Sequence, residues 1–126
     1  MKVTNLLGHK NQYIVEDDYG NLSFQSYDTC MAVVRNSFEE GYERELEVKS
    51  HLWSATTRKH FMEFLKETHM VNALDTLIDN KVFRNVKDFM LRAELLQVRD
   101  DRICVVYTNR KGELTSDKFD LTYEYD

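Results

Sequence analysis

The sequence predicts an α+β domain: an antiparallel sheet of about five strands with three short helices packed on one face, in the order β-β-β-α-α-α-β-β. Three observations carry that expectation. Stretches near both ends alternate apolar and polar residues with the period of a strand. The middle of the chain repeats its apolar residues at helical spacing. Two turn sequences, DYGN and NRKG, stand where hairpins would close. No repeat, linker or low-complexity segment divides the chain, so a single domain is expected over residues 1–126.

Residues 12–17 (QYIVED) are the first expected strand, and the turn through Gly20-Asn21 leads into a second. That second strand reads LSFQSYDTCMAVVR from Leu22 onward. It loses alternation at Met31 to Val34, as expected of a strand covered on both faces. Residues 36–45 (NSFEEGYERE) are polar, with Gly41 as punctuation. A third strand follows over residues 45–53, with Leu46, Val48 and Leu52 on one face and Glu45, Glu47 and Lys49 on the other.

Ser54, Thr56 and Thr57 can each cap a helix, because a side-chain oxygen there can accept from the open N–H groups of the first turn. Behind them Phe61, Phe64, Leu65 and Thr68 form an inward stripe, with Lys59, Glu63 and Lys66 opposite. In the second helix Asn72 is the expected cap, Asp75 complements the dipole, and Val71, Leu74, Leu77 and Ile78 make the stripe. The third repeats the device with Asn85, Asp88 and the stripe Val86, Phe89, Met90 and Ala93. Two closing strands then run over residues 102–108 (RICVVYT) and from Phe119 to the end, joined through Asn109-Arg110-Lys111-Gly112.

Hydrophobic residues make up 42% and aromatic residues 12% of the chain, enough to form a core without a metal or a disulfide. Cys30 and Cys104 sit in apolar, strand-like runs and are expected as buried free thiols. The apolar runs are too short to cross a bilayer, and the start MKVTNLLGH has no secretory core, so a soluble, cytoplasmic protein is expected. The formal net charge of -5 argues against general affinity for nucleic acid, which depends on neutralising phosphates.

Residues Ser26-Tyr27-Asp28-Thr29 and Ala32, then Trp53, Ser54, Thr56, Thr57, Lys59, His60 and Phe61, form a pattern: SYDTxxA, an aromatic, and S-x-T-T-x-[KR]-H opening an aromatic-rich helix. This pattern resembles a group of small phage and prophage accessory proteins with no established activity. The resemblance spans roughly residues 20–67. It implies a mobile-element protein that interferes with host machinery, and it carries no chemistry over.

Catalytic signatures are missing: there is no G-x-S-x-G elbow and no Gly-rich phosphate loop. Asp17-Asp18 and Asp100-Asp101 read as solvated turn residues, and no enzyme is expected. His51, His60 and His69 recur at intervals of nine, half a turn out of phase on a helix, and His9 is distant. Neither a metal nor another cofactor is expected.

The charged candidates fall into three groups. Glu39, Glu40, Glu43, Glu45 and Glu47 crowd one stretch, and Asp117, Asp120, Glu124 and Asp126 mark the last strand. On an edge strand, carboxylates at a two-residue period of about 6.6–6.8 Å would mimic phosphate spacing; charged edges also simply keep sheets from pairing with strangers. Thr56, Thr57, Arg58 and Lys59 open a helix, where the dipole and free N–H groups favour an anion. Lys81, Arg84, Lys87 and Arg92 flank the third helix, interleaved with Asp79, Asp88 and Glu94, and are expected as a solvated helix face.

The expected function is stoichiometric binding by a phage-derived accessory protein. Its specific form is inhibition of a host defence protein or ribonucleoprotein complex, as by an anti-CRISPR protein, through an acidic surface competing for a basic nucleic-acid channel. The alternatives are a small nucleic-acid-binding regulator using Arg58, Lys59, Lys81, Arg84 and Lys87, and a structural module that self-associates. Oligomeric state stays open.

Overall fold

The computed structural model describes residues 1–35, 44–51 and 54–121. Its eight strands are β1 (Lys2–Asn5), β2 (Gln12–Glu16), β3 (Leu22–Ser26), β4 (Thr29–Arg35), β5 (Arg44–Val48), β6 (Ala93–Arg99), β7 (Arg102–Thr108) and β8 (Leu114–Asp120). They form one antiparallel sheet in sequential order, β1 to β8. Helices α1 (Ala55–Glu67), α2 (Val71–Asp79) and α3 (Val86–Arg92) are inserted between the neighbouring strands β5 and β6. The class is α+β as expected, but about five strands in the order β-β-β-α-α-α-β-β is not what forms. Five strands precede the helices and three follow.

The difference lies in turns and registers that the sequence disguises. The run from Leu22 to Arg35 is two strands folded at Tyr27-Asp28, with Ser26 paired to Thr29. Tyr27 takes the left-handed conformation (φ 53°), normally signalled by Gly or Asn. Asp100 (φ 44°) does the same between Arg99 and Arg102, closing β6 onto β7. β6 is masked in sequence by adjacent Leu95 and Leu96, which point to opposite faces and blur the alternation. β1 pairs with β2 at the edge, from Lys2 opposite Glu16 to Asn5 opposite Tyr13.

Two hairpins turn as the sequence indicates, by the same construction. The Asp17 carboxylate accepts from the backbone N–H of Tyr19 and Asn21, with Gly20 at φ 81°. The Asn109 amide oxygen accepts from Lys111 and Glu113, with Gly112 at φ 82°. In each, the side chain replaces backbone partners while Gly takes a left-handed conformation that strains other residues.

All three helices contribute to a single core against one sheet face. The row Ile14, Phe24, Ala32 and Val48 and the row Val34, Leu46, Leu96 and Val105 point into it. Phe61, Phe64, Leu65, Leu74, Leu77, Phe89 and Met90 meet them from the helices, all essentially without exposed surface. Phe24 stacks on Phe64 at 5.6 Å between ring centroids, and Phe83 sets its edge against Phe89 and Tyr107 at 5.2 and 5.4 Å. Each such ring contributes roughly 1.5–3 kcal/mol by leaving water.

Helix starts are as read for α1 and α3, where Ser54 and Asn85 cap by accepting from Thr57 and Asp88. α2 differs: it begins at Val71, its cap position is Met70 without a side-chain bond, and Asn72 lies inside the first turn. Cys30 is exposed, not buried, and Cys104 is half-buried on the helix-free face. Their strands β4 and β7 are not neighbours, and both thiols are free. Among the described residues no helix is long and apolar enough to cross a membrane.

Candidate functional site

The acidic candidates separate by strand. Glu39, Glu40, Glu43, Glu124 and Asp126 lie outside the described residues, as does Trp53 of the resemblance pattern. Glu45 and Glu47 stand mid-sheet on the face without helices, each engaged by neighbours. Arg35 Nη1 donates to Glu47 Oε1 at 2.7 Å and lies 3.9 Å from Glu45 Oε2. Lys49 Nζ reaches Glu47 Oε2 at 2.9 Å, and Gln97 Nε2 donates to Glu45 Oε1 at 2.8 Å. The bond from Lys49, then that from Arg35, holds the Glu47 carboxyl below its ordinary pKa against the opposing effect of burial.

β8 is an edge strand, the position that an acidic row would need. Asp117 and Asp120 nevertheless face opposite sides of it. Asp117 turns under the sheet and accepts from the Tyr107 hydroxyl. That bond, with burial, raises the Tyr107 pKa. Asp120 is exposed, 3.8 Å from Arg102 Nε, and the outer row of β8 reads Ser116, Lys118, Asp120. A groove lined by Arg99, Arg102, Cys104, Lys118 and Asp120 therefore mixes both signs.

At the start of α1 the side-chain cap among the described residues is Ser54, whose Oγ accepts from Thr57 N at 3.1 Å and meets Thr57 Oγ1 at 2.8 Å. Thr56 is exposed, Arg58 half-buried and Lys59 exposed. Arg58 and Lys59 line an open groove with Met62, closed on its far side by Asn85, the cap of α3, and by Val86 and Lys87 of its first turn. Two cations from α1 and one from α3 thus share one concavity. Lys81 and Arg84 lie on the connection before α3.

Arg92 departs from its expected solvated position. Asp88 accepts from Arg92 Nε at 2.8 Å and Nη2 at 2.7 Å, and from the Arg84 backbone N–H at 2.9 Å. Arg92 also donates to the carbonyls of Val82 and Thr108 and lies over the rings of Phe83 and Tyr107. This bidentate pair, foremost the bonds from Arg92, holds the Asp88 pKa down at about 2. Asp88 and Arg92 are a structural knot between helix layer and sheet.

One cluster joins residues that are remote in sequence. His60 and Glu63 occupy adjacent turns of α1. His9 follows a 3-10 turn (Leu6–Gly8) whose Leu6 is buried in the core. The His9 backbone is pinned at both ends: its N–H donates to the Leu6 carbonyl at 2.9 Å, and its carbonyl accepts from Asn5 Nδ2 at 2.7 Å. So held, the His9 ring lies 4.3 Å from that of His60, centroid to centroid. His9 Nε2 is 2.9 Å from Glu63 Oε2, and His60 Nδ1 is 3.3 Å from Glu63 Oε1. His60 Nδ1 is within ion-pair range of the carboxylate, yet it is buried and makes no hydrogen bond with any partner among the described residues.

Spacing along the chain sets His60 only against His51 and His69, and the helical period puts Glu63 on the outer face; the signal passed over is the i,i+3 spacing of His60 and Glu63 on one helix. His9 enters through the fold, across 54 positions from Glu63. The other histidines are placed elsewhere: His51 Nδ1 lies 2.9 Å from the Met90 carbonyl, and His69 (φ 59°) follows the α1 cap.

No curated protein and no solved structure matches the chain. The model of a family of unknown function, DUF8033, matches residues 1–85 of the 126, from β1 to the approach to α3. The matched span includes His9, His60 and Glu63, and the chain belongs to this family.

Proposed function

We propose that the chain acts by stoichiometric binding to a macromolecular partner, without a reaction of its own. Its specific form is a phage accessory protein that inhibits a host defence complex, in the manner of an anti-CRISPR protein, by occupying a basic nucleic-acid channel. The observation that carries the reading is the helix-free sheet face. There the row Arg35, Glu45, Gln97, Cys104, Lys118 crosses β4 to β8 beside the row Val33, Glu47, Leu95, Val106, Ser116. A broad charged surface with apolar inlays suits a large partner better than a small molecule. The face itself mixes both signs; the net charge of -5, a property of the whole chain, favours a basic partner.

Capture of a partner from host lysate on immobilised protein, followed by measurement of the purified complex, tests the reading. A basic nucleic-acid-binding complex held at a fixed stoichiometry supports it. Recovery of no partner above background contradicts it.

The second reading, a nucleic-acid-binding regulator, draws on the convergence of Arg58, Lys59 and Lys87 in one groove. Gel-shift with random DNA and RNA at low salt separates the two. Retardation abolished by Lys59→Ala with Lys87→Ala favours the regulator; no retardation at micromolar protein removes it.

A further inference from the structure

We propose that His9, His60 and Glu63 form a three-ligand site for a divalent transition-metal ion, zinc foremost. Two imidazole nitrogens and one carboxylate oxygen are the donor types that zinc takes when three protein ligands leave a fourth position to water. One donor atom from each residue lies within 4.8 Å of the others. Four-coordinate zinc with bonds of about 2.0–2.1 Å sets its donors roughly 3.3–3.4 Å apart. The widest separation therefore closes by no more than about 1.5 Å, a side-chain adjustment.

A second observation points the same way. The His60 side chain is 9% exposed, and its Nδ1 finds no hydrogen-bond partner among the described residues although it lies 3.3 Å from the Glu63 carboxylate. A buried ring nitrogen left this way costs free energy that coordination recovers. His9 Nε2 lies within hydrogen-bond range of the same carboxylate, so a cation would take the place of a shared proton. The His9 backbone is fixed at both ends, and the helix fixes those of His60 and Glu63, so little backbone ordering remains to oppose binding. A bound ion ties the β1–β2 connection to α1, joining the sheet's first edge to the helix layer.

Metal-stripped protein titrated with Zn2+ and, separately, with Co2+ tests this. One equivalent of zinc is expected per chain, with a raised melting temperature, and Co2+ develops the intense visible bands of four-coordination. His9→Ala and Glu63→Gln, at partly exposed positions, are each expected to keep the native circular dichroism and weaken zinc at least about tenfold. Absence of saturable zinc binding at micromolar concentration overturns the proposal. So does binding that both variants leave unchanged, or equal affinity for Mg2+ and Ca2+, which call for all-oxygen sites.

Discussion

Leu46 and Glu47 are adjacent on β5 and belong to different working surfaces. Leu46 has no exposed area and packs in the row Val34, Leu46, Leu96, Val105 beneath the helices. Glu47 keeps a third of its side chain in water and is held by Arg35 and Lys49. The strand period of two puts them there, so one alternating sequence writes both a core and an exterior. On the covered face, removing a group leaves a void or an orphaned charge. On the open face water fills the gap, so charges there can be spent on recognition at little cost in stability.

The largest effect expected of a single substitution lies on the covered face. Phe64→Ala, which opens a cavity against Phe24, should cost about 3–5 kcal/mol in denaturant unfolding. A loss below about 1 kcal/mol would mean that the helices are not seated on the sheet as described.

That core was the part most legible in sequence. The stripe Phe61, Phe64, Leu65 and Thr68 and the alternation of Leu46 with Glu47 were readable from period alone, and each of those four stripe residues is buried. Strand number was not readable, because Tyr27 and Asp100 turn the chain in the left-handed region without Gly, and because Leu95 faces outward beside Leu96. Of the acidic candidates, Glu45 and Glu47 lie on β5 and Asp117 and Asp120 on β8, yet their partners Arg35, Lys49, Gln97 and Tyr107 depend on register. The His9–His60–Glu63 cluster needs a contact between the β1–β2 connection and α1 that no local pattern encodes.

Next in size is the knot at α3. Asp88→Asn should destabilise by on the order of 2 kcal/mol, since it removes the charge that Arg92 holds from two nitrogens at a partly buried site. Its pH dependence has a defined sign. The folded pKa is depressed from 3.8 to about 2, so the stabilisation is present above pH 3.8 and is lost as pH falls through about 2. Acid unfolding of the Asn variant should lack that component.

Smaller still is the open face. Glu47→Gln should cost under about 1 kcal/mol in thermal unfolding, since its partners remain solvated. If it costs as much as Asp88→Asn, the contrast between the faces fails. The smallest effect has the opposite sign. The Asp75 pKa is raised by burial and by Asp79 one helical turn on, so its ionisation opposes folding above its ordinary pKa. Asp75→Asn should leave stability at pH 7 unchanged or raise it by a few tenths of a kcal/mol.

The central claim, that the open exterior binds a partner through charge, is tested most directly by the dissociation constant of the purified complex at two ionic strengths. Affinity should fall at least about tenfold between roughly 0.05 and 0.5 M salt, as screening shortens the reach of exposed charges. Equal affinity at both salt concentrations would contradict the claim.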